Sequence, residues 1–167
     1  MVPMGDDLLR LAPELVLCLT GIVLMVIEPF LTKGRRALLV SLAGGGAGLA
    51  LLATLYPALH QGTAFSGLLR IDQFSVFFHV LIGLVAVLVV LASSDYLERE
   101  HLQQGEYYAL VLFAAAGMGV MASAAELMTA FVGLEVSSIS TYILAGYRRD
   151  APGSNEAAMK YFLLGSF

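Results

Sequence analysis

The chain has 167 residues, 59% of them hydrophobic and only 13% charged, with a mean hydropathy of +0.84. Ordinary soluble domains carry roughly a quarter charged residues, and the apolar residues here gather in blocks about 20 long, the length that crosses a bilayer as a helix. A formal charge of -4 with no basic cluster argues against a nucleic-acid binder, and Cys18, the only cysteine, excludes an internal disulfide or a cysteine metal cluster.

The expected fold class is all-α, a polytopic transmembrane helix bundle forming a single membrane domain over residues 1–167. The first span is predicted at about 8–31. It could be mistaken for a signal peptide, but MVPMGDDLLR is acidic, no small-residue cleavage site follows, and LTKGRR reads as a stop-transfer flank. The second span is predicted at 37–56 and carries no charge. Its GGGAG, Gly44 to Gly48, lacks the GK[ST] of a phosphate loop and is expected to serve close helix packing through Gly44 and Gly48. The third is predicted at 74–94, interrupted only by His79, with Arg70 and Asp72 as a candidate pair at its start. The loop with Glu98, Arg99, Glu100, His101 and Glu106 reads as solvated. The fourth is predicted at 107–125 and the fifth at 127–147, with Glu126 at its boundary.

A sixth helix is predicted to start after the breaker pair Pro152-Gly153, with Ser154 or Asn155 as N-cap. The 13 residues from Asn155 to Phe167 make about 20 Å of helix, short of the roughly 30 Å hydrocarbon core. The expectation is an N-terminal piece of a longer protein. Lys33, Arg35, Arg36, Arg99, Arg148, Arg149 and Lys160 fall on one side and only Arg10 and Arg70 on the other. The positive-inside rule then puts the N-terminus outside and the basic loops in the cytoplasm.

Glu135 is the residue that most needs explaining. Eight uncharged residues precede it from Leu127 and twelve follow to Tyr147, so it lies near mid-membrane, where an acidic side chain costs about 2.5–3.5 kcal/mol. Ser138 and Tyr142 share its helical face, and Ser137, Ser140 and Thr141 are near. Such hydroxyls can bond a carboxyl group or hold water. The sharp reading is proton transfer or ion coupling; the bland one is a neutral glutamate that ties helices together. Lys160, in the first turns of the sixth helix, is either functional or an interfacial lysine paired with Glu156. Glu14 and Glu28 bracket the first span too closely for both to lie fully outside the slab. Glu28, followed by Pro29, reads as an interfacial carboxylate or a secondary site candidate. His79 is likewise a secondary candidate, a proton shuttle or a packed imidazole. No HExxH, CxxC or GxSxG is present.

Three stretches carry a family resemblance. RIDQFSVFF (Arg70 to Phe78) resembles the segment leading into the third helix of the antiporter-like membrane subunits of bacterial respiratory complex I, the proton-translocating NADH–quinone oxidoreductase. ELMTAFVGLEVSSISTYILAGY (Glu126 to Tyr147) resembles their glutamate-bearing fifth helix. NEAAMKYFLLGSF (Asn155 to Phe167) is similar to the start of the sixth helix of one member in particular, where a sibling reads nearer AAYKF. The resemblance implies more than a dozen helices containing two inverted five-helix repeats. It implies roles in proton translocation for Glu135, matched to the fifth-helix glutamate that pairs with a seventh-helix lysine, and for Lys160. It also implies location in the bacterial cell (inner) membrane beside other complex I subunits, a sibling antiporter-like subunit among them. NADH, FMN, iron–sulfur clusters and quinone would be held elsewhere, with no cofactor on this chain. The alternatives are a related cation/proton antiporter subunit and a structural membrane scaffold.

Overall fold

The computed structural model describes residues 4–31, 36–100, 102 and 105–166. Helices α1 (Met4–Arg10), α2 (Ala12–Ile27), α3 (Arg36–Ala53) and α4 (Leu55–Leu59) lead into a hairpin of β1 (Gly62–Ala64) and β2 (Leu69–Ile71). Then follow α5 (Gln73–Arg99), α6 (Gly105–Ser123), α7 (Leu127–Ala145) and α8 (Pro152–Gly165). Among the described residues, five helical stretches, 12–30, 37–59, 73–99, 105–123 and 127–145, are long and apolar enough to cross a membrane. The chain is thus an all-α bundle in architecture, with one small hairpin added.

Several boundaries differ from the sequence reading. The expected first span is divided. Leu11 leaves helical geometry between α1 and α2, where Pro13 occupies a first-turn position that needs no backbone donor. The same span ends in a single 3-10 turn, Glu28–Phe30, around Pro29. α5 has 27 residues, about 40 Å of helix, and absorbs Glu98 and Arg99, which the sequence suggested were loop. Its start is set by a capping box. The Asp72 carboxylate accepts from Ser75 N–H at 2.9 Å, and Ser75 Oγ accepts from Asp72 N–H at 2.9 Å. Asp72 is therefore engaged in capping and does not pair with Arg70. α8 begins at Pro152, not after Ser154 or Asn155, because proline at the first helical position forfeits no helical hydrogen bond. Ser154 Oγ instead donates to the Ala145 carbonyl at 2.8 Å, tying α8 back to α7.

α6 is the central helix. Of its span, 61% is buried, against 28% or less for the other four. Its small residues let neighbours approach. A Cβ added to Gly117 would sit 2.7 Å from the Gly133 carbonyl oxygen, and one added to Gly133 would sit 2.7 Å from Met121 N. The α6 and α7 backbones thus touch directly, as small residues permit in membranes. In α3, Ala43, Ala47 and Ala50 form the buried stripe. The expected close packing at Gly44 and Gly48 is not found: Gly48 has open space, and the tight contact is at Gly46, where Thr20 of α2 presses in. Large apolar side chains, among them Leu19, Leu52, Leu88 and Ile139, point outward. Small inside and large outside suits a lipid solvent, in which outward leucines carry no penalty.

The two ends of the bundle are tied differently. At one, the Asp7 carboxylate accepts from Phe65 N–H at 3.1 Å, Arg10 Nη1 donates to the Thr63 carbonyl, and Ala125 N–H donates to the Leu68 carbonyl at 2.9 Å. The hairpin turn needs left-handed backbone at Phe65, Ser66 and Gly67. At the other end, Arg148 meets Glu100 at 3.0 Å and Arg149 meets Glu106 at 3.3 Å. Lys33, Arg35 and His101 of the basic and solvated loops lie outside the described residues.

Candidate functional site

α7 exists as a helix because Leu127 to Ala145 is apolar with hydroxyls and glycine interspersed, and it starts where Glu126 turns extended. Its buried positions are Gly133, Ser137 and Ser140, one stripe facing α6. At about 100° per residue, Glu135 lies roughly opposite that stripe. Its side chain is half-buried. Among the described residues its carboxylate has neither an ion-pair nor a hydrogen-bond partner. The neighbouring hydroxyls do not serve it: Ser140 Oγ donates to the Val136 carbonyl at 2.8 Å and Thr141 Oγ1 to the Ser138 carbonyl at 2.9 Å. They satisfy their own helix, the usual fate of Ser and Thr in an apolar medium.

Lys160 is not beside Glu135. Its Nζ lies 2.6 Å from Glu156 Oε1, an exposed i,i+4 pair. α7 and α8 run antiparallel. Gly146 faces Ala158, and Tyr142 is ringed by Tyr161 and Phe162 at 4.7 and 5.7 Å between centroids. Lys160 is therefore level with about residue 144, nine positions from Glu135, roughly 14 Å along the axis.

Glu28 has a structural occupation. Its two carboxylate oxygens accept from Gly105 N–H at 2.9 Å and Glu106 N–H at 3.0 Å. It thus caps the N-terminus of α6 from a helix end far away in sequence, placing negative charge at the positive pole of the helix dipole. Tyr147 stands nearby. Burial pushes its phenol upward, and the Glu106 and Glu28 carboxylates push it further in the same direction.

His79 is neither alone nor exposed. Its Nε2 lies 2.8 Å from Glu14 Oε1 and 3.1 Å from the Gly119 carbonyl oxygen, with both side chains almost wholly buried. This pairing was not visible in the sequence, where Glu14 and His79 sit on different helices with no motif joining them. Among the described residues no group of three or more His, Cys, Asp or Glu could hold a metal ion.

Apolar spans packed through small residues, with ionisable groups at mid-helix and between helices, define a helical membrane protein. Residues 124–167 match a family model described as "NADH:quinone oxidoreductase/Mrp antiporter, TM". Over 96% of its length the chain is 43% identical to "NADH-quinone oxidoreductase subunit N 2" of Koribacter versatilis (strain Ellin345), covering 34% of that protein. It is 43% identical over 97% of its length to "NADH-quinone oxidoreductase subunit N 1" of Solibacter usitatus (strain Ellin6076), and 42% over 93% to the subunit N of Trichlorobacter lovleyi, covering 33% and 32% of those proteins. The chain spans about a third of the length of the curated relatives it matches. These relatives, at about 40% identity over most of this chain, are all named as subunit N of an NADH–quinone oxidoreductase.

Proposed function

We propose that the chain is part of a proton-translocating membrane subunit of an NADH–quinone oxidoreductase, with Glu135 as its switchable carboxylate. One observation carries this reading: a carboxylate half-buried at the middle of an apolar 19-residue helix, turned away from the packed α6 face and without a partner among the described residues. An ionisable group kept at that depth is costly unless it does something. A cation brought against a carboxyl group favours its ionised form, and withdrawing the cation favours the neutral acid. Cycling between the two releases and takes up one proton. In this reading NADH, FMN, the iron–sulfur clusters and quinone belong to other subunits, whose electron transfer drives the approach and withdrawal of that cation. Lys160, held by Glu156 about 14 Å away along the helix axis, tunes the field at Glu135 without touching it.

The same reading puts the chain in a bacterial inner membrane, with the hairpin end outside and the Arg148–Arg149 end in the cytoplasm, beside a sibling antiporter-like subunit. Glu135→Gln in the full-length subunit, within the assembled complex, is expected to depress NADH-driven proton pumping and coupled turnover while leaving assembly intact. Normal pumping at normal assembly overturns the assignment. A second reading, a cation/proton antiporter without NADH chemistry, draws support from the family description, which also covers Mrp antiporters. Sodium flux independent of quinone would select it.

A further inference from the structure

Among the described residues, Glu14 and His79 are the only buried carboxylate and the only buried imidazole. They come from α2 and α5 and meet against the Gly119 carbonyl of α6. We propose that Glu14 and His79 together form a proton-binding site in the bundle interior, separate from Glu135, that holds one exchangeable proton.

The geometry fixes one proton. Both groups facing His79 Nε2 are acceptors, the Gly119 carbonyl and Glu14 Oε1, so Nε2 carries hydrogen. That N–H is aligned on the carbonyl, and Oε1 stands beside it at 2.8 Å. His79 Nδ1 and Glu14 Oε2 have no protein partner, although both are buried. If His79 were neutral and Glu14 ionised, the site would hold one uncompensated negative charge out of reach of water, which proteins avoid. One further proton removes that charge. Placed on Nδ1 it makes an imidazolium against a carboxylate; placed on Glu14 it makes two neutral groups. Either way the pair goes from net -1 to zero by taking a single proton from the medium, and no other co-reactant is needed.

Among the described residues lining the pair, none offers a compensating positive charge. From α2 the next titratable group is Cys18, one turn on; α3 presents Ala50, and α6 presents Ala115 and Gly119. Arg10 of α1 is turned to the hairpin, where it bonds Thr63. A cavity of about 10 Å³ adjoins both side chains, close to the smallest that holds one water. A water there could bond the unpartnered atoms and hand the proton on. Glu14 also lines a second cavity of about 170 Å³, between α2, α6 and α7, walled by Val132, Gly133 and Val136. Glu14 therefore borders both spaces.

The test is pH-jump infrared difference spectroscopy on the purified, assembled complex carrying wild-type, E14Q or H79Q full-length subunit. In the wild type one signal from the pair should titrate. In E14Q the titrating signal of the pair should be lost, whichever of the two groups carried the proton. In H79Q the Glu14 carboxyl should stay protonated, so its C=O band no longer responds to pH. Spectra of either variant indistinguishable from wild type overturn the proposal, as does a Glu14 signal in H79Q that keeps the wild-type midpoint. Should E14Q not assemble, E14D replaces it: a shared proton requires its midpoint to move, and an unmoved midpoint overturns the site. The readout needs no pumping, so its outcome is independent of the role of Glu135.

Discussion

Glu28 shows how a single side chain can be reassigned by its partners. Its carboxylate closes on two of the orphan N–H groups that begin α6. Glu28→Ala is expected to lower stability by about 1–2 kcal/mol, the range of N-cap deletions, read from thermal unfolding of the full-length subunit in detergent. Glu28→Gln should lose less, because an amide oxygen still accepts one bond. Gly105 belongs to the same contact: a Cβ there would lie 2.7 Å from Glu28 Oε2. Gly105→Ala should therefore reproduce the Glu28→Ala loss, and a double variant should add little to either alone. Glu135 was legible from depth alone, since counting uncharged neighbours locates mid-membrane. What its neighbours do was not legible. The nearby Ser140 and Thr141 hydroxyls bond backbone carbonyls about one turn back, acceptors already within reach in their own helix.

At the scale of elements, the α6–α7 contact is close because glycine meets backbone. Gly133→Ala puts a methyl 2.7 Å from Met121 N, with no flexible side chain to yield. The helices must separate, at an expected cost of about 1–3 kcal/mol, measurable as a fall in unfolding midpoint. Gly48→Ala, facing open space, should be silent in the same assay. Asp72 is the matching case at a helix end: Asp72→Ala removes the capping box of α5 and should cost about 1 kcal/mol. Helix existence was readable from runs of apolar residues, and the place of Pro29 marked an end. The helix starts were less readable. A proline at the first helical position and a breaker before the helix look alike in one dimension, which is why α8 begins earlier than its polar residues suggested.

For the whole molecule, the expectation of orientation can be checked with the chain's single-cysteine background. With Cys18 replaced, Ser66→Cys on the hairpin turn should react with an impermeant thiol reagent added to intact cells. Asp150→Cys, between α7 and α8, should react only after permeabilisation. The reverse pattern would invert the topology. The structure already places these two positions at opposite ends: Ser66 lies among the contacts of α1 and the α6–α7 link, and Asp150 among the Arg148–Glu100 and Arg149–Glu106 pairs.

Composition and apolar block length by themselves determined that this is a helical membrane protein, because bilayer thickness and the need to satisfy every backbone donor leave a chain this apolar few alternatives. The mid-span glutamate was equally plain. Tertiary structure alone decided which ionisable groups meet. It joined Glu14 to His79, gave Glu28 to the start of α6, and kept Lys160 with Glu156 far from Glu135. Helix packing brings together residues separated by dozens of positions, through crossings set by where glycine and alanine let backbones touch, and no spacing within one helix encodes that.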